Sequence, residues 1–216
     1  MLAGIDSISL KNQTWFSEVK RLFTQTHWRI GEALIRNMPV NIPFQIDKLA
    51  FQYGCVVPDF MLGIPDHTKE ESINFVAALM KQVQQTNLIE AKTADKCDTF
   101  VKLGIITHYV SDYFCQAHND DPRYNQILPH ILYENRLRIQ FNASDLVKVS
   151  RAGLERFNTF LYPPSSLVDY IQDRHRAYQA EKPGMSKDIQ YAAQTSMNII
   201  AAILNHYIFA AKQQAA

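Results

Sequence analysis

Apolar residues recur along the chain at spacings of three and four, while strict alternation is almost nowhere. That pattern predicts helices, not strands. A first amphipathic segment runs from about Trp15 to Phe23, and a second starts at Thr26, as THWRIGEALIRNM, and stops at Pro39. Asn41 to Pro43 form a connection, and IDKLAFQYG reads as a short helix closed by Gly54. CVVPDFMLGIPDH, residues 55–67, reads as a loop with two prolines and a glycine. Thr68 and Glu71 have the spacing of a capping box and open a helix to about Leu88. A long central helix is expected from about Ala94 to Ala117, followed by the loop HNDDPRYNQ and a helix from Ile127 to Gln140. Ser144 caps a helix to about Leu161, Ser166 one that ends before Pro183, and the last runs from Ser186 to about Lys212. The expectation is all-α: one compact domain over residues 1–216, with roughly eight helices around long central ones.

Composition narrows the function classes. The 216 residues are 47% hydrophobic and 20% charged, enough for a real core. A net charge of +1 is no footprint for nucleic acid, which calls for a basic stripe. Seven glycines form no phosphate-cradling loop, and Cys55, Cys97 and Cys115 form no CxxC pair. The cysteines read as reduced and mostly buried. MLAGIDSISLKNQTW lacks the charged and apolar regions of a secretory signal, and no run approaches the ~20 apolar residues of a spanning helix. A soluble, cytoplasmic protein is expected, with peripheral contact at a membrane left open.

The polar interruptions of the central helix carry the chemistry. In LGIITHYVSDYFCQAH, His108 and Asp112 are four apart and share a helical face. His118 lies ten residues beyond His108, about 80° around an ideal helix, where a second ion is in reach. His130 and Glu134 repeat the four-residue spacing on the next helix. Imidazole and carboxylate without thiolate form a ligand set for zinc in catalytic sites. Metal ions also offset the several kcal/mol that each buried carboxylate costs.

The pattern HxxxDxxxxxH followed by HxxxE resembles the zinc-dependent phospholipase C family of bacteria. THWRIGEALI is similar to the family's first histidine helix, and VPDFMLGIPDH to its aspartate–aromatic element and following histidine. The resemblance covers roughly residues 15–135 and implies an all-α bundle holding two to three zinc ions. It assigns Asp59, His67, His108 and Asp112 to one zinc, and His118, His130 and Glu134 to a second. His27 with bridging Asp112 goes to a third. It implies hydrolysis of a phospholipid or similar small phosphodiester by a metal-activated water, with Asp59 as general base. Phe60 matches an aromatic position lining the headgroup pocket, where a quaternary ammonium meets a ring face; ordinary core packing is the other reading of that residue.

The chain departs from the family at its start. Secreted members begin at a tryptophan whose amino group completes the third zinc site. Here Trp15 and Glu18 reproduce a WxxE spacing ahead of His27; Trp15 reads as a packing residue of an N-terminal helix, with processing ahead of Trp15 as the other reading. The loop from Asp59 to His67 is shorter than in secreted enzymes. His175 is expected to face solvent beside Asp173 and Arg174, His206 to be a core histidine, and Cys115 to be a small buried hydrophobe. Two alternatives stay open. One is a fungal-type zinc-dependent single-strand nuclease, which shares the fold but ends its last pair in Asp. The other is a non-catalytic, metal-binding helical protein. Oligomeric state is not encoded in any feature of the sequence.

Overall fold

A computed structural model describes residues 26–37, 44–88, 90–119, 121–124, 126–140 and 164–214. Among these are seven α-helices and no strand: α1 (residues 26–37), α2 (Lys48–Gly54), α3 (Lys69–Gln85), α4 (Thr93–Asp112), α5 (Ile127–Gln140), α6 (Pro164–Ala180) and α7 (Met185–Gln214). Short 3-10 turns occupy Val57–Phe60, Gln116–His118 and Pro122–Tyr124. The expected helices around Trp15 and after Ser144 lie outside the described residues, as does the His206 side chain.

The centre is α4, which packs against α2, α3 and α7. Its second half is buried on every side, from Leu103 through Asp112, as a helix surrounded by other helices must be. Phe100, Leu103, Ile106 and Val110 meet Met80 and Val83 of α3 and Met197, Ile200 and Leu204 of α7 in one core. Asp47 caps α2 by accepting from the Ala50 N–H at 3.0 Å. Thr68 does stand at the N-cap of α3, but its side chain makes no capping bond. Instead the Ser72 hydroxyl donates to the Thr68 carbonyl and lies 2.8 Å from the Tyr113 hydroxyl, tying α3 to the end of α4.

Two glycines set the approach of α2 to α4. A Cβ on Gly104 would lie 2.2 Å from the Phe51 carbonyl oxygen, and one on Gly54 2.1 Å from that of Val101. The backbones therefore touch where any side chain would part them. This close crossing delivers the end of α2, and the Val57–Phe60 turn after it, to the polar face of α4.

The central helix is shorter than its sequence predicts. It ends at Asp112, not Ala117, and the chain turns through Tyr113 to Cys115 into the 3-10 turn Gln116–His118. Tertiary partners hold this break. The Asn119 amide donates to the carbonyls of Tyr113 and Cys115, and the Gln116 N–H donates to Asp188 of α7.

Candidate metal centre

Six segments carry the eight expected ligands. α1 supplies His27, the Val57–Phe60 turn Asp59, and the loop before α3 His67. α4 supplies His108 and Asp112, the Gln116–His118 turn His118, and α5 His130 and Glu134. Asp112, 3% exposed, is the hub. Its Oδ1 lies 3.2 Å from His27 Nε2 and 3.8 Å from His118 Nε2. Its Oδ2 lies 3.0 Å from His67 Nδ1 and 3.2 Å from His108 Nε2. On the far side, Glu134 Oε1 lies 2.9 Å from His118 Nε2 and 2.8 Å from His130 Nε2. His118 is thus not a residue further round α4. The break in the helix swings it back between Asp112 and Glu134.

The tautomer of His108 tells what the first group of donors can hold. Its Nδ1–H donates to the Cys55 carbonyl oxygen at 3.0 Å, an oxygen that accepts only. In the neutral ring Nε2 is then a bare lone pair. It faces His67 Nδ1 at 3.2 Å, Asp112 Oδ2 at 3.2 Å and Asp59 Oδ1 at 3.7 Å. The lone pair and the two carboxylate oxygens are all acceptors, and they repel unless a proton on His67 Nδ1 or a cation lies among them. Asp59 Oδ2 is buried with no hydrogen-bond partner, a second sign of an unmet positive charge. Zinc–nitrogen bonds of 2.0–2.1 Å place the corners of a tetrahedron about 3.3 Å apart. The measured separations bracket that edge, so these residues fit a zinc ion. The Cys55 carbonyl is the outer hydrogen bond that fixes a metal-ligating histidine.

The electrostatics agree. Burial pulls the His27 and His118 imidazoles down, but the Asp112 carboxylate, joined for His118 by Glu134, more than reverses this and lifts each to about 9. Burial raises Asp112, yet the histidines around it hold it well below the usual carboxylate range. Burial and the charge on His27 lower His108. The cluster gathers positive charge as protons wherever no metal supplies it.

Among the described residues four donor groups emerge within 4.8 Å: His27–His108–Asp112, Asp59–His67–His108, His67–Asp112–His118 and Cys115–His118–Glu134, with His130 reaching the last through its contact with Glu134. His27 and Asp112 do meet, as a third site requires. Trp15 and Glu18 lie outside the described residues. Phe60 ends the turn that carries Asp59 and is 47% exposed, so it is not a core residue. Met61 and Leu62 beside it are exposed too, Leu62 by 97%.

Two supports escaped the sequence reading. A backbone carbonyl such as that of Cys55 leaves no trace in residue identity. Asp188 reads as an acid in the first turn of α7, an ordinary complement to a helix dipole. In the structure it is buried and accepts from the hydroxyls of Tyr133 and Tyr178 and the N–H of Gln116, so it holds the residue before Glu134 and the turn that carries His118. One expectation is corrected. His175 does not face solvent: it is 1% exposed, between the rings of Phe114 and Tyr178, with Nε2 at 2.8 Å from Asn119 Oδ1. Its neighbours Asp173 and Arg176 pair on the outer face of α6, and their charge disguised the inner one.

A family model described as zinc dependent phospholipase C matches residues 26–185, a span that contains every candidate ligand. No curated protein and no solved structure matches the chain.

Proposed function

The chain belongs to the zinc-dependent phospholipase C family, and on that premise we propose that it hydrolyses a phosphodiester of a phospholipid, releasing diacylglycerol and a phosphorylated headgroup. The observation that carries this reading is the His108 lone pair turned toward His67, Asp112 and Asp59, with Asp59 Oδ2 unpartnered beside them.

Asp59, His67, His108 and Asp112 would hold one zinc, His118, His130 and Glu134 a second, and His27 with Asp112 a third. Zinc ions in these positions supply positive charge for the phosphate oxygens and lower the pKa of a bound water to about 7. The protein's own groups do the rest. The Cys55 carbonyl keeps the His108 ring from turning. Asp112 holds imidazoles from three other segments around one carboxylate. Asp59 directs Oδ1 toward His108 and leaves Oδ2 to take the proton of the attacking water as the new P–O bond forms and the bond from phosphorus to the diacylglycerol oxygen breaks, that oxygen taking up a proton from solvent. Phe60 offers a ring face to the headgroup.

The surroundings favour a lipid over a soluble diester. Phe60, Met61 and Leu62 follow Asp59 directly, and Leu128 and Leu132 flank His130 on α5, all exposed. An apolar rim on both sides of a polar site fits a substrate whose headgroup enters while its chains remain in a bilayer. No described helix is long and apolar enough to cross a membrane.

The test is metal content and a substrate panel on the same sample. Two or three zinc ions per chain and turnover of phosphatidylcholine or related lipids are expected. Bound zinc with turnover of single-stranded nucleic acid alone makes the protein a nuclease. Bound zinc with no turnover makes the centre structural.

A further inference from the structure

Cys115 sits between Asp112 and His118 and has no part in the mechanism above. Residues Gln116–His118 form a 3-10 turn, and the His118 N–H donates to the Cys115 carbonyl at 3.0 Å. The Cys115 sulfur, a His118 nitrogen and a Glu134 carboxylate oxygen fall within 4.8 Å of one another. The residue is 5% exposed. With His27, Asp112 and Glu134 it lines a cavity of about 30 Å³, room for one water or one ion.

We propose that Cys115 is a fourth protein donor to the second zinc, completing a His118, His130, Glu134 and Cys115 set. The proposal rests on the family reading that a zinc ion occupies this position. Charge supports it. Within the donor set itself, two neutral imidazoles and the Glu134 carboxylate bring one negative charge to a dication and a thiolate brings a second, while Asp112 and Asp188 line the same cavity. As the sulfur–zinc bond forms, the thiol proton leaves to solvent. A sulfur donor also moves the site toward softer metals than nitrogen and oxygen alone would select. The other cysteines serve as controls: neither Cys55, buried behind His108, nor exposed Cys97 belongs to any donor group among the described residues.

The test uses the full chain loaded with cobalt(II). A thiolate-to-cobalt charge-transfer band in the near ultraviolet is expected in the unaltered protein and in Cys97→Ser, and its loss in Cys115→Ser with visible cobalt bands retained. Should Cys115→Ser not fold, X-ray absorption on the unaltered zinc protein decides, with a sulfur expected at about 2.3 Å. Absence of the band in the unaltered protein, its survival in Cys115→Ser, or a shell of only nitrogen and oxygen overturns the proposal and leaves the family reading standing. A chain that takes up no metal overturns both.

Discussion

Cys55 holds His108 by its backbone: the imidazole Nδ1–H donates to the Cys55 carbonyl oxygen at 3.0 Å, which turns the Nε2 lone pair toward His67, Asp112 and Asp59. The acceptor is main chain, so no substitution at Cys55 removes it directly. What does control it is the helix crossing that brings Cys55 there.

Gly104→Ala tests that crossing. Its Cβ would stand 2.2 Å from the Phe51 carbonyl oxygen, so α2 must retreat and take Cys55 with it. Overpacking of this kind costs about 1–3 kcal/mol, and backbone contact puts it at the upper end. Denaturant melts are expected to show that loss, and zinc analysis a weaker first site. Gly184→Ala has open space at its Cβ and is expected to change stability by less than about 0.5 kcal/mol.

Removing zinc is expected to lower stability, because the folded cluster binds it and the unfolded chain scarcely does. Zinc at a hundred times its Kd contributes about 2.7 kcal/mol. Chelator should lower Tm and added zinc restore it; a Tm indifferent to both would mean that the donors hold no metal.

Asp59→Asn removes the proposed proton acceptor while keeping the shape of the side chain. Turnover is expected to fall about 10²–10⁴-fold, with far-ultraviolet circular dichroism unchanged. Activity within a factor of a few of the unaltered protein would take the general base elsewhere.

Leu62→Asp separates a lipid surface from a soluble substrate. The side chain is 97% exposed, so the fold is indifferent to it. Loss of one buried apolar contact with the bilayer costs about 1.5 kcal/mol or more, roughly tenfold. Turnover of phosphatidylcholine vesicles should drop by that factor and turnover of a short-chain soluble ester should not. Equal effects on both would rule out a membrane role for the rim.

His175 predicts an acid limit independent of the metal ligands. Burial, with the charge of Lys69, lowers its pKa from 6.5 to about 4. The folded state then binds fewer protons than the unfolded one between those values, so stability present above pH 6.5 is lost as pH falls toward about 4. Discounted for partial solvent screening, the loss amounts to about 1–2 kcal/mol. His175→Gln is expected to flatten the fall in urea midpoint across this window relative to the unaltered protein. Parallel curves would show that the histidine is not the titrating group.

The parts readable in sequence were those with a local cause. Gly54 ends α2 as its position announced, α5 has the bounds its periodicity gave, and the four-residue spacings put His108 beside Asp112 and His130 beside Glu134. The parts that were hidden have causes distant in the chain. Nothing in YFCQAH marks a helix end: the break at Asp112 is held by Asn119 and by Asp188, the latter 72 residues from its partner Gln116. The same break gives His118 its place and puts Cys115 next to it. His175 was misread because a window of charged neighbours reports one face of a helix only.

The hub at Asp112 bears on how the chain folds. Its partners His67 and His27 lie 45 and 85 residues away in sequence, so the centre depends on long-range contacts as well as on the local pairs His108–Asp112 and His130–Glu134. Such contacts form slowly, after local helices exist. The pocket can assemble only once α1 has docked on α4, which makes metal capture a late event in folding. A nascent chain short of α5 presents an incomplete set of donors, and zinc would then act as a latch on a nearly finished structure and not as its nucleus.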